Sequence, residues 1–181
     1  MKNDDLIIVD IETTGVDPNI HEIIELAYIL VRQKGGTGTE FEVIEEKEFK
    51  IKPEHIETAE PQALKMNGYD EGQWLFANSL ADVMKVFAEK SKNAIFMSHN
   101  VTFDYSFIER ALAKSGLKNE MFYAKLDTIS IAYAKLHKNI HVERFSLNKL
   151  CQFFGIENDR AHTALADTRA LFEIYKKLMQ L

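Results

Sequence analysis

The feature that most constrains this chain is a contradiction in its first strand. Residues 8–15 read IVDIETTG, a short apolar run broken by Asp10 and Glu12. LIIVDI (6–11), β-branched and stopped by TTG, reads as a buried strand. Alternate residues of a strand share a face, so Asp10 and Glu12 point one way and Val9 and Ile11 the other. Burying one unpaired carboxylate is costly, and burying two side by side is worse. Two such acids at the carboxyl end of a strand form half of a site for a hard cation. Neutralisation by lysine or arginine is an equally good explanation of the pair taken alone.

The rest of the chain supplies a frame for that strand. IIELAYILVRQ (23–33) and FEVIEEKEFKI (41–51) read as two more strands, joined by a Pro-containing loop at 16–21 and a Gly-rich turn at 34–40. These three strands form a meander. Residues 52–73 are irregular, with Pro53, Pro61 and Gly68 and a short helix near 60–66. A helix follows over 77–91, a strand over 94–98, a helix over 102–116 and a weak strand over 122–127. Helices then occupy 128–138, 146–155 and 163–179. The order implies an α/β domain whose mixed sheet is covered on both faces. At 181 residues and 46% hydrophobic, the whole chain, 1–181, suits one domain with a real core.

Composition narrows the partners. A net charge of −6 argues against gripping nucleic acid through a broad basic surface. It leaves open a nucleic-acid enzyme whose pocket gains positive charge from bound metal. The single cysteine, Cys151, sits in LCQFF and reads as a small buried side chain. No run approaches the ~20 apolar residues of a membrane span, and MKNDD does not open a secretory signal; a reducing, cytoplasmic setting is expected.

Two further segments bring acids to the same sheet edge. In SHNVTFD (98–104), Asp104 falls in the first turn of a helix that follows a strand, where it also complements the helix dipole. In AHTALAD (161–167), His162 and Asp167 are five residues apart, which would set them ~140° apart on one helix. The spacing makes better sense with His162 in the lead-in loop and Asp167 on the helix. A surface histidine and an acid paired with Arg169 remain the plain alternatives. Asp127 reads as the N-cap of the helix at 128–138. The remaining histidines, at 21, 55, 99, 137 and 141, read as loop or surface residues, His99 least clearly.

DIETTG (10–15), HNVTFD (99–104) and HTALAD (162–167), in that order, resemble the three motifs of the DEDDh 3′-to-5′ exonucleases. That family includes the proofreading subunit of bacterial replicative polymerases and the RNase T group. The resemblance runs from about residue 6 to 179. It implies a ribonuclease H-like fold with a mixed five-stranded sheet, one strand antiparallel, and helices on both faces. It implies that Asp10, Glu12, Asp104 and Asp167 bind two divalent ions, Mg²⁺ or Mn²⁺, and that His162 is the general base. A tyrosine four residues before the last acid would mark the sister group, and that position is Thr163. Two hard cations on carboxylates suit phosphodiester hydrolysis.

The resemblance also suggests substrate contacts. Thr13 and Thr14 would meet the terminal nucleotide. PQALKMNGY (61–69) matches the segment that packs on the terminal bases, with Met66 as an apolar wedge and Asn67 where many members carry histidine. Phe103 reads as core rather than base-stacking. Arg144 and Arg160 are phosphate contacts or solvated charges, and Asn100 either orients its motif or caps the helix. The expected activity is 3′-to-5′ hydrolysis of single-stranded nucleic acid to nucleoside 5′-monophosphates, with DNA proofreading favoured and RNA 3′-end trimming the alternative. An inactive nucleic-acid- or polymerase-binding module is a reading of another class, and a ribonuclease H-type endonuclease a third. A proofreading role implies a polymerase partner, in a separate chain or in a longer one containing this domain.

Overall fold

The computed structural model describes residues 4–35, 39–158 and 163–181. Five strands form one mixed sheet: β1 (Leu6–Thr13), β2 (Ile23–Lys34), β3 (Glu40–Lys50), β4 (Ile95–Ser98) and β5 (Lys125–Asp127), in the spatial order β3-β2-β1-β4-β5. β1 pairs antiparallel with β2, and β2 antiparallel with β3; β4 lies parallel to both β1 and β5. β2 therefore runs against the other four. This is the meander read from the residues and the single reversed strand that the family resemblance implied.

Among the described residues seven α-helices accompany the sheet: α1 (Pro61–Met66), α2 (Glu71–Trp74), α3 (Leu80–Ser91), α4 (Val101–Lys114), α5 (Thr128–Leu136), α6 (Leu147–Phe154) and α7 (Ala164–Gln180). One face of the sheet buries Ile7, Val9, Ile11, Leu26 and Tyr28 against Val83, Met84 and Phe87 of α3 and Phe107 and Ile108 of α4. The other buries Leu6, Ile8, Ile29, Val31 and Met97 against Leu171, Phe172 and Tyr175 of α7. A third cluster ties α5 and α6 to α7 through Ala132, Leu136, Leu150, Cys151, Ile174 and Leu178. Each large side chain so buried contributes about 1.5–3 kcal/mol. Both faces are thus filled, and β1 lies at the centre.

Several boundaries differ from the sequence expectation, each for a local reason. α3 begins at Leu80 rather than 77 because Ser79 caps it, accepting the Asp82 N–H at 3.1 Å. α2 was not expected; four residues containing Gly72 carry no periodicity, and the Asp70 side chain caps them from Gln73 N–H. Only 125–127 of the expected strand at 122–127 pairs with β4. Gly155 ends α6 with φ +66°, the left-handed conformation that glycine adopts without penalty. Among the described residues no helix is long and apolar enough to cross a membrane.

Candidate metal centre

β1 builds the site. Along its α7-facing side the apolar row Leu6–Ile8 continues as Asp10 and then Glu12, so the row changes from core to site within one strand. Glu12 is 9% exposed and Asp10 half-buried. α7 packs on this face, and its first turn carries Asp167, 8% exposed. Asp10, Glu12 and Asp167 each offer a carboxylate oxygen, all within 4.8 Å of one another. The Asn158 amide donates to Asp167 Oδ1 at 2.6 Å.

Asp104 arrives from another direction. β4 pairs with β1 only over Leu6–Ile8, which leaves the carboxyl end of β1 open on that side. The first turn of α4 occupies the opening, with Asp104 5% exposed. Burial pushes its carboxyl up to about 7, with the nearby Ser98 side chain and the backbone of Asp104 itself and of Ile11, which lies between Asp10 and Glu12 in sequence, opposing the rise. Glu12 is pushed up to about 8 by burial first, then by Asp167, Glu25 and Asp104. Asp10 is raised well above the usual carboxylate range by burial and by the charges of Asp104, Glu12, Asp167 and Glu25. These groups repel one another in a poorly solvated space. Such a set of hard oxygen donors suits a divalent cation, whose charge would offset the repulsion. His162 and Arg160 lie outside the described residues.

The two threonines where β1 ends, Thr13 and Thr14, are bonded inward. The Thr13 hydroxyl donates to Gly15 O at 2.7 Å, and the fully buried Thr14 hydroxyl accepts the Glu22 N–H at 2.8 Å. The Thr14 N–H donates to Glu22 O at 2.8 Å. Their loop is tight: a Cβ added at Gly15 would sit 2.6 Å from the His21 ring. α1 docks beside this loop. The Asn67 amide donates to Thr13 O at 2.8 Å, and the neighbouring Met66 is 57% exposed.

Other candidates fall away from the centre. Phe103 is partly buried, packs on the core and stacks against Phe107, as the core reading held. Asn100 sits at the N-cap of α4 without a side-chain cap bond; the Val101 N–H is taken by Asp127 Oδ2 at 2.9 Å. Asp127 also accepts the Ser130 N–H at 2.6 Å, so it caps α5 as expected and α4 besides. Arg144 is exposed and lines a depression with Ile140, His141, Lys149 and Phe153.

Sequence reasoning missed one buried acid. Glu25, 3% exposed, is the register partner of Glu12 on β2, and Lys50 of β3 is the register partner of Glu25. Lys50 Nζ lies 2.5 Å from Glu25 Oε1 and 3.5 Å from the centre of the Trp74 ring. A lone acid in IIELAYILV was the available signal.

Comparison with known proteins agrees with this architecture. The family model described as RNase_T, exonuclease, matches residues 7–175. The chain is 29% identical over 176 residues to a PolC-type DNA polymerase III from Caldanaerobacter subterraneus, covering 97% of this chain but 12% of that protein. It is 27% identical over 183 residues to a ribonuclease T from Shewanella frigidimarina, covering 93% of this chain and 79% of that protein. Among solved structures, Escherichia coli exonuclease I in complex with a dT13 oligonucleotide superposes with a TM-score of 0.80 at 20% identity, over 96% of this chain and 40% of that one. The chain therefore spans a small part of the polymerase and less than half of exonuclease I, but most of the ribonuclease T. With the family model matched over nearly its whole length, the chain belongs to the RNase T exonuclease family, the DEDDh 3′-to-5′ exonucleases.

Proposed function

We propose that residues 1–181 form a single exonuclease domain that removes nucleotides from the 3′ end of single-stranded nucleic acid, releasing nucleoside 5′-monophosphates. The observation that carries this is the meeting of Asp10, Glu12 and Asp167, from opposite ends of the sequence, with donor oxygens within 4.8 Å. Asp104, whose charge acts on both Asp10 and Glu12, completes the set. Two Mg²⁺ or Mn²⁺ ions held by these four acids would polarise the phosphodiester and the attacking water and stabilise the leaving oxygen.

The chain's own groups do the rest. His162, five residues before Asp167, takes the proton of the attacking water. Met66 supplies the apolar surface for the terminal base. Asn67, through its bond to Thr13 O, fixes α1 and hence Met66 at the end of β1. Thr13 and Thr14 contribute by shaping the loop, since their hydroxyls are committed to Gly15 O and the Glu22 N–H.

DNA is the favoured substrate, with proofreading beside a polymerase as the setting; the PolC-type relatives support it. RNA 3′-end trimming is the second reading. It is favoured by the ribonuclease T relatives, of which the chain covers 79% in one case. A cytoplasmic location goes with either. The test uses 5′-labelled single-stranded DNA and RNA of one sequence, with Mg²⁺ or with EDTA, beside a circular strand. A metal-dependent ladder shortening from the 3′ end, with the circle intact, is expected. Cutting of the circle would establish an endonuclease, and no cutting by folded protein would favour a binding module.

A further inference from the structure

Asp167 reaches the site only if the first turn of α7 is held at one height above the sheet. Thr163, its N-cap, makes no side-chain cap bond. The first N–H groups of a helix need acceptors, and here the sheet supplies them. Ala164 N–H donates to Glu25 Oε2 at 3.4 Å, and Leu165 N–H donates to Glu48 Oε1 at 3.2 Å. One turn on, Arg169 Nε donates to Glu46 Oε2 at 2.9 Å. Glu25 is on β2, and Glu46 and Glu48 are on β3. The helix is thus fastened, across more than a hundred residues of sequence, to carboxylates two strands deep.

Glu25 is the buried member of this row. Its other oxygen meets Lys50, whose ammonium lies over Trp74, and the Trp74 indole N–H donates to Ile24 O at 3.0 Å. Those contacts fix the Glu25 side chain from below while Ala164 takes it from above. Glu25 therefore touches the backbone three residues before Asp167 and stands in register beside Glu12.

We propose that Glu25, locked by Lys50 and Trp74, is a positioning residue. It sets the N-terminus of α7 and so places Asp167 against Asp10 and Glu12. The proposal rests on the reading of Asp167 as a metal ligand. Groups that orient metal ligands are commonly worth about 10–100-fold in metal affinity or activity.

The test measures Mn²⁺ affinity by calorimetry, together with kcat and KM on a short single-stranded oligonucleotide. It compares the wild type, Glu25→Ala, Glu25→Gln and Asp167→Ala. Glu25→Ala is expected to weaken Mn²⁺ binding and to lower kcat by roughly tenfold or more each, with KM nearly unchanged. Glu25→Gln keeps an oxygen that accepts the Ala164 N–H but turns its NH₂ towards Lys50, so it should recover both values in part, to a level clearly above that of Glu25→Ala. A folded Glu25→Ala with wild-type affinity and turnover overturns the proposal. So does a Glu25→Gln as impaired as Glu25→Ala, because charge rather than placement would then be at issue. If Glu25→Ala fails to fold, Glu25→Asp retracts the carboxylate by one methylene; weaker Mn²⁺ binding by that variant supports the proposal and unchanged binding overturns it. Wild-type Mn²⁺ binding by Asp167→Ala would instead bring down the ligand assignment itself.

Discussion

Two helices, α4 and α7, each deliver an acid in their first turn to the end of β1, and they are held there in different ways. α4 follows β4 after only residues 99 and 100, and Phe103, Phe107 and Ile108 seat it in the core beneath the sheet. Its acid, Asp104, lies close enough to the backbone of Ile11 in β1 for that group to act on its carboxyl. α7 has no such short tether. Its first turn depends on Glu25 and Glu48 from strands distant in sequence, and Asp167 is further held by Asn158. Both helices use a carboxylate from elsewhere in place of their own cap, but only in α7 does the placement of the acid rest on it. The β1–β4–α4 side is a fixed platform, and the α7 side is a fitted part.

The first way to sharpen that comparison is to remove the acids themselves. Asp104→Ala and Asp167→Ala, like Asp10→Ala, should each reduce cleavage by at least ~10³-fold, since a missing ligand removes stabilisation worth several kcal/mol. Single-turnover assays on labelled oligonucleotide read this directly. Substantial activity in Asp104→Ala alone would mean that the platform side is structural. His162→Ala should cost roughly 10²–10³-fold in turnover while leaving Mn²⁺ binding intact. Loss of that binding would make His162 a ligand rather than a base.

The pH dependence of stability tests the two sides together. Asp10, Glu12 and Asp104 hold protons in the metal-free fold that the unfolded chain releases near pH 4. Between that point and the folded values of about 7 for Asp104 and about 8 for Glu12, the native state binds more protons, so stability falls as pH rises. Thermal melts in EDTA should show a loss on the order of a few kcal/mol from pH 5 to 8.5. Mg²⁺ should restore more at pH 8.5 than at pH 5. A flat profile in EDTA would contradict the picture of mutually repelling buried acids.

The smallest expected effect separates the two trans caps. Asp127→Ala removes an acceptor from both α4 and α5 and should cost about 1–2 kcal/mol of stability. It should leave Mn²⁺ affinity within about twofold, because Asp104 is placed by the core beneath it. A tenfold loss of affinity there would erase the distinction between platform and fitted part.

Much of this was legible in the sequence, and the limits are instructive. The facing of Asp10 and Glu12 followed from alternation along one strand, and the helical placement of Asp104 and Asp167 from stop and start signals within single segments. Glu25, Lys50 and Trp74 were not visible, because their proximity depends on cross-strand register. That register is displaced by irregularities between Glu12 and Thr13 in the β1–β2 pairing and between Leu30 and Val31 in the β2–β3 pairing. The inward bonding of Thr13 and Thr14 likewise depends on Gly15 O and Glu22, brought together by a loop whose shape the sequence does not specify.

The most direct measurement is calorimetric titration of Mn²⁺ into the metal-free protein at pH 8, with saturating nucleoside 5′-monophosphate, for the wild type and for Asp10→Asn. The account predicts binding by the wild type that Asp10→Asn abolishes, with a matching rise in thermal stability for the wild type alone. Folded wild-type protein that takes up no Mn²⁺ at millimolar concentration, or an Asp10→Asn variant that binds it equally well, would contradict the claim that these buried acids exist to hold metal.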